Sequence, residues 1–156
     1  MKKMVIITVI IVFALLIITA ILYAAYTSTI DTEYAKKYSE VFGSYEIGQV
    51  DKFLDTNTTL SFQEETQTYA ELRPNVTKAF DEKRYSMEQK SSYGHGDDNL
   101  VNGIQKVEVS TFVDYKDKVS EEISMEIERK GLFSYRVKSL KCDGEFFGYL
   151  FFGIDG

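Results

Sequence analysis

The chain has one cysteine, one proline, one histidine and no tryptophan among its 156 residues. Because a single thiol cannot form an intramolecular disulfide bond, the fold has to be stabilised by its hydrophobic core. Cys142 also lies far from the N-terminal apolar run, which excludes it as the lipid attachment site of a lipoprotein. We interpret it as a buried, unreactive side chain.

Histidine and cysteine, the usual ligands of zinc, occur once each. His95 lies between two glycines in SYGHGDDN, and one imidazole without cysteine or carboxylate partners at a recognisable spacing does not build a zinc site. Asp97, Asp98 and Asn99 lack the D-x-D-x-D-G spacing of a calcium loop. We expect a solvated turn over residues 94–99 and neither a metal ion nor another cofactor, although His95 could alternatively carry a proton.

Acidic residues are absent before Asp31. All 24 aspartates and glutamates lie at or beyond this residue, with 16 of the 18 basic residues, so the part of the chain after the apolar run carries a net charge of −8. Such a domain repels the phosphates of nucleic acids and anionic lipids, and no dense cluster of lysine and arginine offsets this. We therefore predict no nucleic-acid partner.

The longest uncharged run, Met4–Ala25, predicts a transmembrane helix. Its 22 residues would extend about 33 Å as a helix, enough for a hydrocarbon core about 30 Å thick. Lys2 and Lys3 precede the run, while Asp31 and Glu33 are the first charges after it. The positive-inside rule then predicts a cytoplasmic N-terminus.

These features predict two regions: a cytoplasmic stub with a membrane anchor over 1–28, and an extracytoplasmic domain over 29–156. A cleaved secretory signal is the alternative, but its apolar stretch is usually about 7 to 15 residues long and ends at a small-x-small site. The run here is longer, and the small residues that follow it form a poor site. Both interpretations place the domain in the same compartment.

Three helices are predicted after the apolar run. Residues 31–42 and 47–54 carry apolar side chains at helical spacing. The third helix begins at a capping box, Thr68 to Glu71, in which a hydroxyl and a carboxylate satisfy backbone N–H groups. The polar stretch DTNTT, residues 55–59, predicts a turn or loop.

From residue 85 onward, apolar residues occur at every second position instead of at helical spacing, which is typical of strands with one buried face. Residues 104–115 and 119–127 alternate most regularly, and further strands are predicted over 132–141 and 145–153. A block of helices followed by a block of strands indicates an α+β fold. About three helices would pack on one face of a curved antiparallel sheet of four to six strands.

Two stretches, EYAKKYSEVFGSYEIGQVDKFL and VSEEISMEIERKGLFSYRVKSLKCDG, resemble the opening helices and the closing hairpin of the nuclear transport factor 2-like (NTF2-like) superfamily. This cone-shaped fold is shared with ketosteroid isomerases, and the resemblance covers about residues 31–153. The tryptophan usual after the hairpin turn is replaced by Phe133 or Tyr135. The acid–base pair and oxyanion donor of the isomerases cannot be matched residue by residue, so none is carried over.

Four residues are candidates for lining a pocket in such a cone. Tyr85, Tyr93 and Tyr115 occupy alternate strand positions whose side chains are expected to face the interior. Glu121 is the carboxylate at such an inward-facing position of its own strand. A carboxylate in an apolar pocket would have a raised pKa and could act as a base. Solvent next to the adjacent turn could instead reach Glu121, and the tyrosines could be ordinary core residues with satisfied hydroxyls.

The segment FFGYLFFG, which starts at Phe146, is apolar on both strand parities. As a central strand it would be core. As an exposed edge, its residues Phe147, Tyr149 and Phe151 would form a site for a protein partner.

Three functions remain compatible with these features. The first is a membrane-tethered, non-catalytic module that binds a protein or a small apolar ligand. The second is a cone-fold enzyme that uses Glu121 and a tyrosine. The third is a structural subunit of a surface complex whose membrane helix self-associates, since the layout resembles the bitopic assembly components of type IV secretion and conjugation systems.

Overall fold

The computed structural model describes residues 2–27, 30–87, 93–96, 103–131 and 134–154. The chain divides into two units, Met1–Ile30 and Asp31–Gly156. The first contains the helix α1 (Lys2–Thr27), in which Val5–Ala24 is long and apolar enough to cross a membrane. Its aliphatic side chains are exposed, Leu22 to 65%, a surface that water penalises at roughly 25 cal/mol per Å² and lipid does not. The helix therefore fits a single-pass membrane protein.

The helices α2 (Ile30–Gly43), α3 (Ile47–Phe53) and α4 (Tyr69–Glu82) confirm the three helical predictions. In α4 the capping box is formed: the backbone N–H and the hydroxyl of Thr68 both donate to the Glu71 carboxylate, at 2.8 and 2.7 Å. The helix ends at Lys83, which adopts a left-handed conformation.

In the described part of the chain, seven strands form one sheet, with spatial order β2-β1-β7-β6-β5-β3 and with β4 also paired to β5. The strands are β1 (Leu54–Phe62), β2 (Glu65–Thr68), β3 (Tyr85–Met87), β4 (Tyr93–Gly96), β5 (Ile104–Tyr115), β6 (Asp117–Arg129) and β7 (Tyr135–Lys141). All pairs are antiparallel except β1 with β7. The α+β class is thus confirmed, and the sheet is larger than expected and contains one parallel pair.

The alternation predicted for the long hairpin is confirmed by burial. On β5 and β6 the residues facing the helices are buried and their neighbours in sequence are mostly exposed. We call the buried side the inner face of the sheet. Its members on these two strands are Gln105, Val107, Val109, Thr111, Val113, Tyr115, Glu121, Ile123, Met125 and Ile127.

The loop predicted over residues 55–59 is wrong, because this stretch belongs to β1. One residue of this polar stretch, Thr58, is only 2% exposed. Its hydroxyl donates to the carbonyl of Val137 at 2.9 Å. The backbone N–H of Asp55 donates in turn to the Thr58 hydroxyl. Pairing with β7 therefore overrides the local turn preference of aspartate and asparagine.

The strand predicted over residues 145–153 is also wrong. One α-helical turn, Glu145–Phe147, continues into a π-helical segment, Gly148–Phe152; we call residues 145–152 the C-terminal helix. An apolar run on both strand parities is equally compatible with a helix that is buried all round, and periodicity cannot separate the two. Gly153, at φ +66°, ends the helix in the left-handed conformation that glycine tolerates.

We predict that Thr68→Ala lowers the free energy of unfolding by about 1 kcal/mol, because it removes the hydroxyl of the capping box. The measurement is urea denaturation of the full chain in detergent micelles, followed by near-ultraviolet circular dichroism. Thr66→Ala is the matched control, since that exposed hydroxyl contacts only the exposed hydroxyl of Ser61. Equal losses in the two variants would contradict a specific role for the box.

Candidate functional site

Two of the candidate pocket residues meet on the inner face of the sheet. Tyr85 on β3 pairs directly with Tyr115 on β5, and both are buried. The hydroxyl of Tyr85 donates to the carbonyl of Phe42 in α2 at 2.6 Å, and the hydroxyl of Tyr45 donates to the carbonyl of Tyr85. Burial raises the pKa of Tyr85, so it remains a neutral donor at physiological pH.

Glu121 on β6 accepts hydrogen bonds from the start of the C-terminal helix. The backbone N–H groups of Phe146 and Phe147 donate to its two oxygens at 2.7 and 3.1 Å, and its exposure is only 6%. The first N–H groups of a helix have no partner within the helix and carry its positive dipole end. The carboxylate therefore caps this helix, and the solvated position considered for Glu121 is wrong.

Burial determines the protonation of the groups around this carboxylate. It raises the pKa of Glu121, against the lowering effect of the hydrogen bonds from Phe146 and Phe147. The thiol of Cys142 lies 3.9 Å from Glu121 Oε2, and burial raises the pKa of Cys142 to about 12. The thiol thus stays protonated at neutral pH and is a poor nucleophile, in agreement with its interpretation as an unreactive side chain.

Tyr38 belongs to the same interior cluster, although the sequence analysis did not single it out. Its side chain is fully buried, and its hydroxyl has no hydrogen-bond partner in the described part of the chain. Burial raises the pKa of Tyr38, and the nearby Cys142, Glu121 and Tyr85 raise it further. Tyr38 lies within the helix predicted over residues 31–42, and no local signal there distinguishes a tyrosine with an unpaired hydroxyl from an ordinary core tyrosine.

The C-terminal helix fills the space beneath the inner face. The ring of Phe146 lies 4.7 Å from that of Tyr85, and the ring of Tyr149 stacks on Tyr115 at 4.7 Å. Phe151 reaches the opposite wall, where its ring meets Phe42 at 5.3 Å. The interior is therefore closed by the chain's own aromatic side chains.

The partner edge considered for Phe147, Tyr149 and Phe151 is wrong in this structure. The three side chains lie in a helix rather than a strand, and their exposures are 0, 4 and 0%. A surface that a partner could reach needs exposed apolar area, and these residues offer none. Their packing corresponds instead to the core alternative.

Polar contacts hold the C-terminal helix at both ends. Besides the Glu121 cap, the Tyr149 hydroxyl donates to Glu82 at 3.0 Å, and the amide of Asn75 donates to the carbonyl of Phe151 at 2.8 Å. Both contacts lead to α4. The helix is thus fixed between β6 on one side and α4 on the other.

The remaining candidates lie away from this cluster or outside the described atoms. Tyr93 and His95 belong to β4, where they pair with Ser110 and Glu108, so the turn predicted over residues 94–99 is wrong for residues 94–96. Their side chains, and residues Asp97, Asp98 and Asn99, lie outside the described part of the structure. Within the described part, no group of three histidine, cysteine, aspartate or glutamate side chains is arranged to hold a metal ion.

A second feature is an open cleft on the outside of the domain, with a volume of about 820 Å³. It lies between the helices α2 and α3 and the first residues of β1 and β7. Its apolar floor includes Tyr34, Val41 and Leu54, and its walls carry charged residues, among them Glu40 and Arg136. Pockets of this volume are large enough for a ligand or for several side chains of a partner.

Comparison with solved structures places this architecture among NTF2-like proteins. A variant of the protein Rd1NTF2_05 superposes with a TM-score of 0.53 at 10% identity, over 74% of this chain and 97% of its own. An NTF2-like protein from Cytophaga hutchinsonii gives 0.50 at 10% identity, over 71% of this chain and 92% of its own. An NTF2-like protein of unknown function in nutrient uptake from Rhodospirillum rubrum superposes with a TM-score of 0.50 at 8% identity. The match covers 71% of this chain and 94% of the other.

The chain therefore has the NTF2-like fold that its opening helices and closing hairpin predicted. Similarity at this level of identity concerns the fold alone, and fold does not determine function. No protein-family model matches the sequence, and no curated protein matches it significantly.

We predict that Gly144→Ala is strongly destabilising, because a Cβ atom there would lie 2.2 Å from the carboxyl carbon of Glu121. The clash would displace either the cap or the start of the C-terminal helix, at a cost of about 1–3 kcal/mol. Gly48→Ala in α3 is the matched control, since its Cβ would meet nothing within 4 Å. Thermal unfolding of both variants gives the comparison; a Gly144→Ala chain as stable as Gly48→Ala would show that the close approach is not required.

We also predict a pH signature for Glu121. Because its folded-state pKa is raised by burial, the carboxyl group contributes stability when protonated, and this contribution is lost as the pH rises from the ordinary glutamate value near about 4.3 through the raised value. The stability of the wild-type chain minus that of Glu121→Gln should therefore fall over this range. Subtracting the free energy of unfolding of the variant removes the pH dependence that the other carboxylates, several of which have lowered pKa values, contribute to both chains. A difference between the two chains that rises with pH would contradict the prediction.

Proposed function

We propose that this chain is a membrane-anchored, extracytoplasmic binding or assembly module that has no catalytic activity of its own. One observation carries the proposal: the chain's own C-terminal helix occupies the interior of the fold, and the inward carboxylate is used to cap that helix. Contact with other molecules is then left to the outer surface of the domain.

Because Glu121 already caps the C-terminal helix, it is poorly placed to act as a general base. A general base has to lie within about 2.6–3.2 Å of the proton that it removes, directly or through one water. Both oxygens of Glu121 already accept backbone N–H groups, and the residue is only 6% exposed. A substrate would reach Glu121 only if residues 145–152 moved away.

A cone-fold enzyme remains the second candidate, and a specific observation favours it. Glu121, whose pKa is raised, lies in one cluster with the fully buried hydroxyl of Tyr38, which has no hydrogen-bond partner among the described residues. A perturbed carboxylate beside a hydroxyl donor is typical of catalytic sites. This alternative requires an open form of the C-terminal helix. The third possibility, a structural subunit that self-associates through α1, shares the anchor with our proposal.

The proposed compartment depends on the charges that flank the anchor. A reporter enzyme that is active only outside the cytoplasm, fused to the C-terminus, should be active in cells that express the full chain. Reversing the flanking charges, with Lys2 and Lys3 changed to Glu and Asp31 and Glu33 to Lys, should reduce this activity, because the positive-inside bias is then inverted. An inactive reporter on the wild-type chain would contradict the proposed orientation.

The binding role can be tested by photo-crosslinking in intact membranes. A photoreactive amino acid is placed in turn at four exposed positions on different parts of the domain: Thr56, Thr66, Phe112 and Ile154. We expect at least one position to form a crosslink of discrete mass to another polypeptide or to a second copy of this chain. If none of them does so, the chain has no stable protein contact and the proposal fails.

A further inference from the structure

We propose that the outer cleft binds an extended segment of a partner polypeptide that carries basic side chains. This inference rests on the proposed function, because it assigns one surface and one partner chemistry to the binding module. The physical basis is the set of charges around the cleft that the fold does not neutralise, together with an apolar floor between rigid walls.

Most charges in the cleft are already paired within the domain. Lys37 forms an ion pair with Glu33 at 2.8 Å, and Arg136 lies 2.7 Å from Glu128 and 3.3 Å from Asp55. These charges are largely cancelled, so they contribute little to attraction of a partner.

Three lining charges have no ion-pair partner in the described part of the chain: the carboxylates of Glu40 and Glu46 and the ammonium group of Lys52. Glu46 accepts a hydrogen bond only from the neutral amide of Gln49. The uncompensated charge in the cleft is therefore negative, in a domain whose sequence is itself strongly acidic. A partner with an excess of basic side chains complements this pattern, whereas a phosphate-rich partner is repelled.

Phe53 supplies most of the accessible apolar contact for such a segment. Its side chain is partly exposed in the cleft, whereas Tyr34 and Val41 are each only 8% exposed and Leu54 is buried. The ring of Phe53 packs at 6.2 Å against Tyr34 and at 6.3 Å against Phe42. An extended chain places successive side chains on opposite sides, so apolar residues can meet this floor while alternate basic residues reach the rim.

The walls of the cleft are held in place before binding. Asp51 accepts two hydrogen bonds from Arg73 and one from the Tyr69 hydroxyl, all at 2.8 Å, which joins α3 to α4. On the other wall, Arg136 links β7 to β6 and β1 through Glu128 and Asp55. A preformed site avoids the cost of ordering on association and so favours a measurable affinity from few contacts.

The test uses two short labelled peptides, one of alternating lysine and phenylalanine and the other with glutamate in place of lysine. Fluorescence anisotropy with the full chain in nanodiscs of zwitterionic lipid should show binding of the lysine peptide only, weakening as salt rises. Empty nanodiscs give the blank. Equal binding of the two peptides, or no binding of the lysine peptide, would overturn the inference.

Variants then locate the site. The pair Glu40→Gln and Glu46→Gln should weaken binding of the lysine peptide by about three- to tenfold, and Lys52→Gln should strengthen it by about twofold. The matched control combines Glu64→Gln, in the turn between β1 and β2, with Glu65→Gln at the first residue of β2. It removes the same charge outside the cleft and should leave binding unchanged. An equal loss in the control would assign the attraction to overall charge and refute a site in the cleft.

The crosslinking experiment separates failure of this inference from failure of the proposed function. A crosslink at Thr56, which lines the cleft, that is lost in the Glu40→Gln and Glu46→Gln chain supports both. Crosslinks at other positions but not at Thr56 leave the binding module intact and reject the cleft. The absence of crosslinks at every position rejects the module itself.

Discussion

A buried carboxylate set against the first N–H groups of a helix determines the interior of this domain. Glu121 is only 6% exposed, and its ionised form is expensive there because burial removes it from water. The backbone donors of Phe146 and Phe147 offset part of that cost only while the C-terminal helix stays in place. The conformation of the last described segment and the protonation of one side chain are therefore coupled, and Gly144 is needed for the two to approach so closely.

This coupling changes what the fold can do. In a cone-shaped fold the space between helices and sheet is the natural place for a ligand, but here the aromatic residues of the C-terminal helix fill it. On the exterior, exposed charged residues form small ion-pair networks. Individual exposed pairs contribute little energy, so the recognition that we propose depends on which charges the domain leaves uncompensated.

Elements with a clear local signal could be predicted from the sequence. The alternation along β5 and β6 specified the buried side residue by residue, and the spacing of Thr68 and Glu71 placed the start of α4. Prediction failed where tertiary contacts override local preference. The stretch DTNTT has the composition of a turn, but the bond from Thr58 to Val137 incorporates it into the sheet, and FFGYLFFG carries no period that separates a central strand from a buried helix. The role of Glu121 could not be predicted because its partners are backbone N–H groups 25 and 26 residues later in the chain.

The parallel pairing of β1 with β7 has a consequence for how the domain is made. Thr58 and Val137 are 79 residues apart, and β7 lies between β1 and β6, so the early and late parts of the chain are interleaved in one sheet. The strands of the long hairpin can associate with each other, and β5 with β3 and β4, as soon as they emerge. By contrast, β7 and β1 cannot be added to the β6 edge until synthesis has passed Lys141. Folding of the sheet is thus a late, non-local event. Until it is complete, the unpaired strand edges remain open to association with other chains, and this is when a newly made copy is most exposed to aggregation.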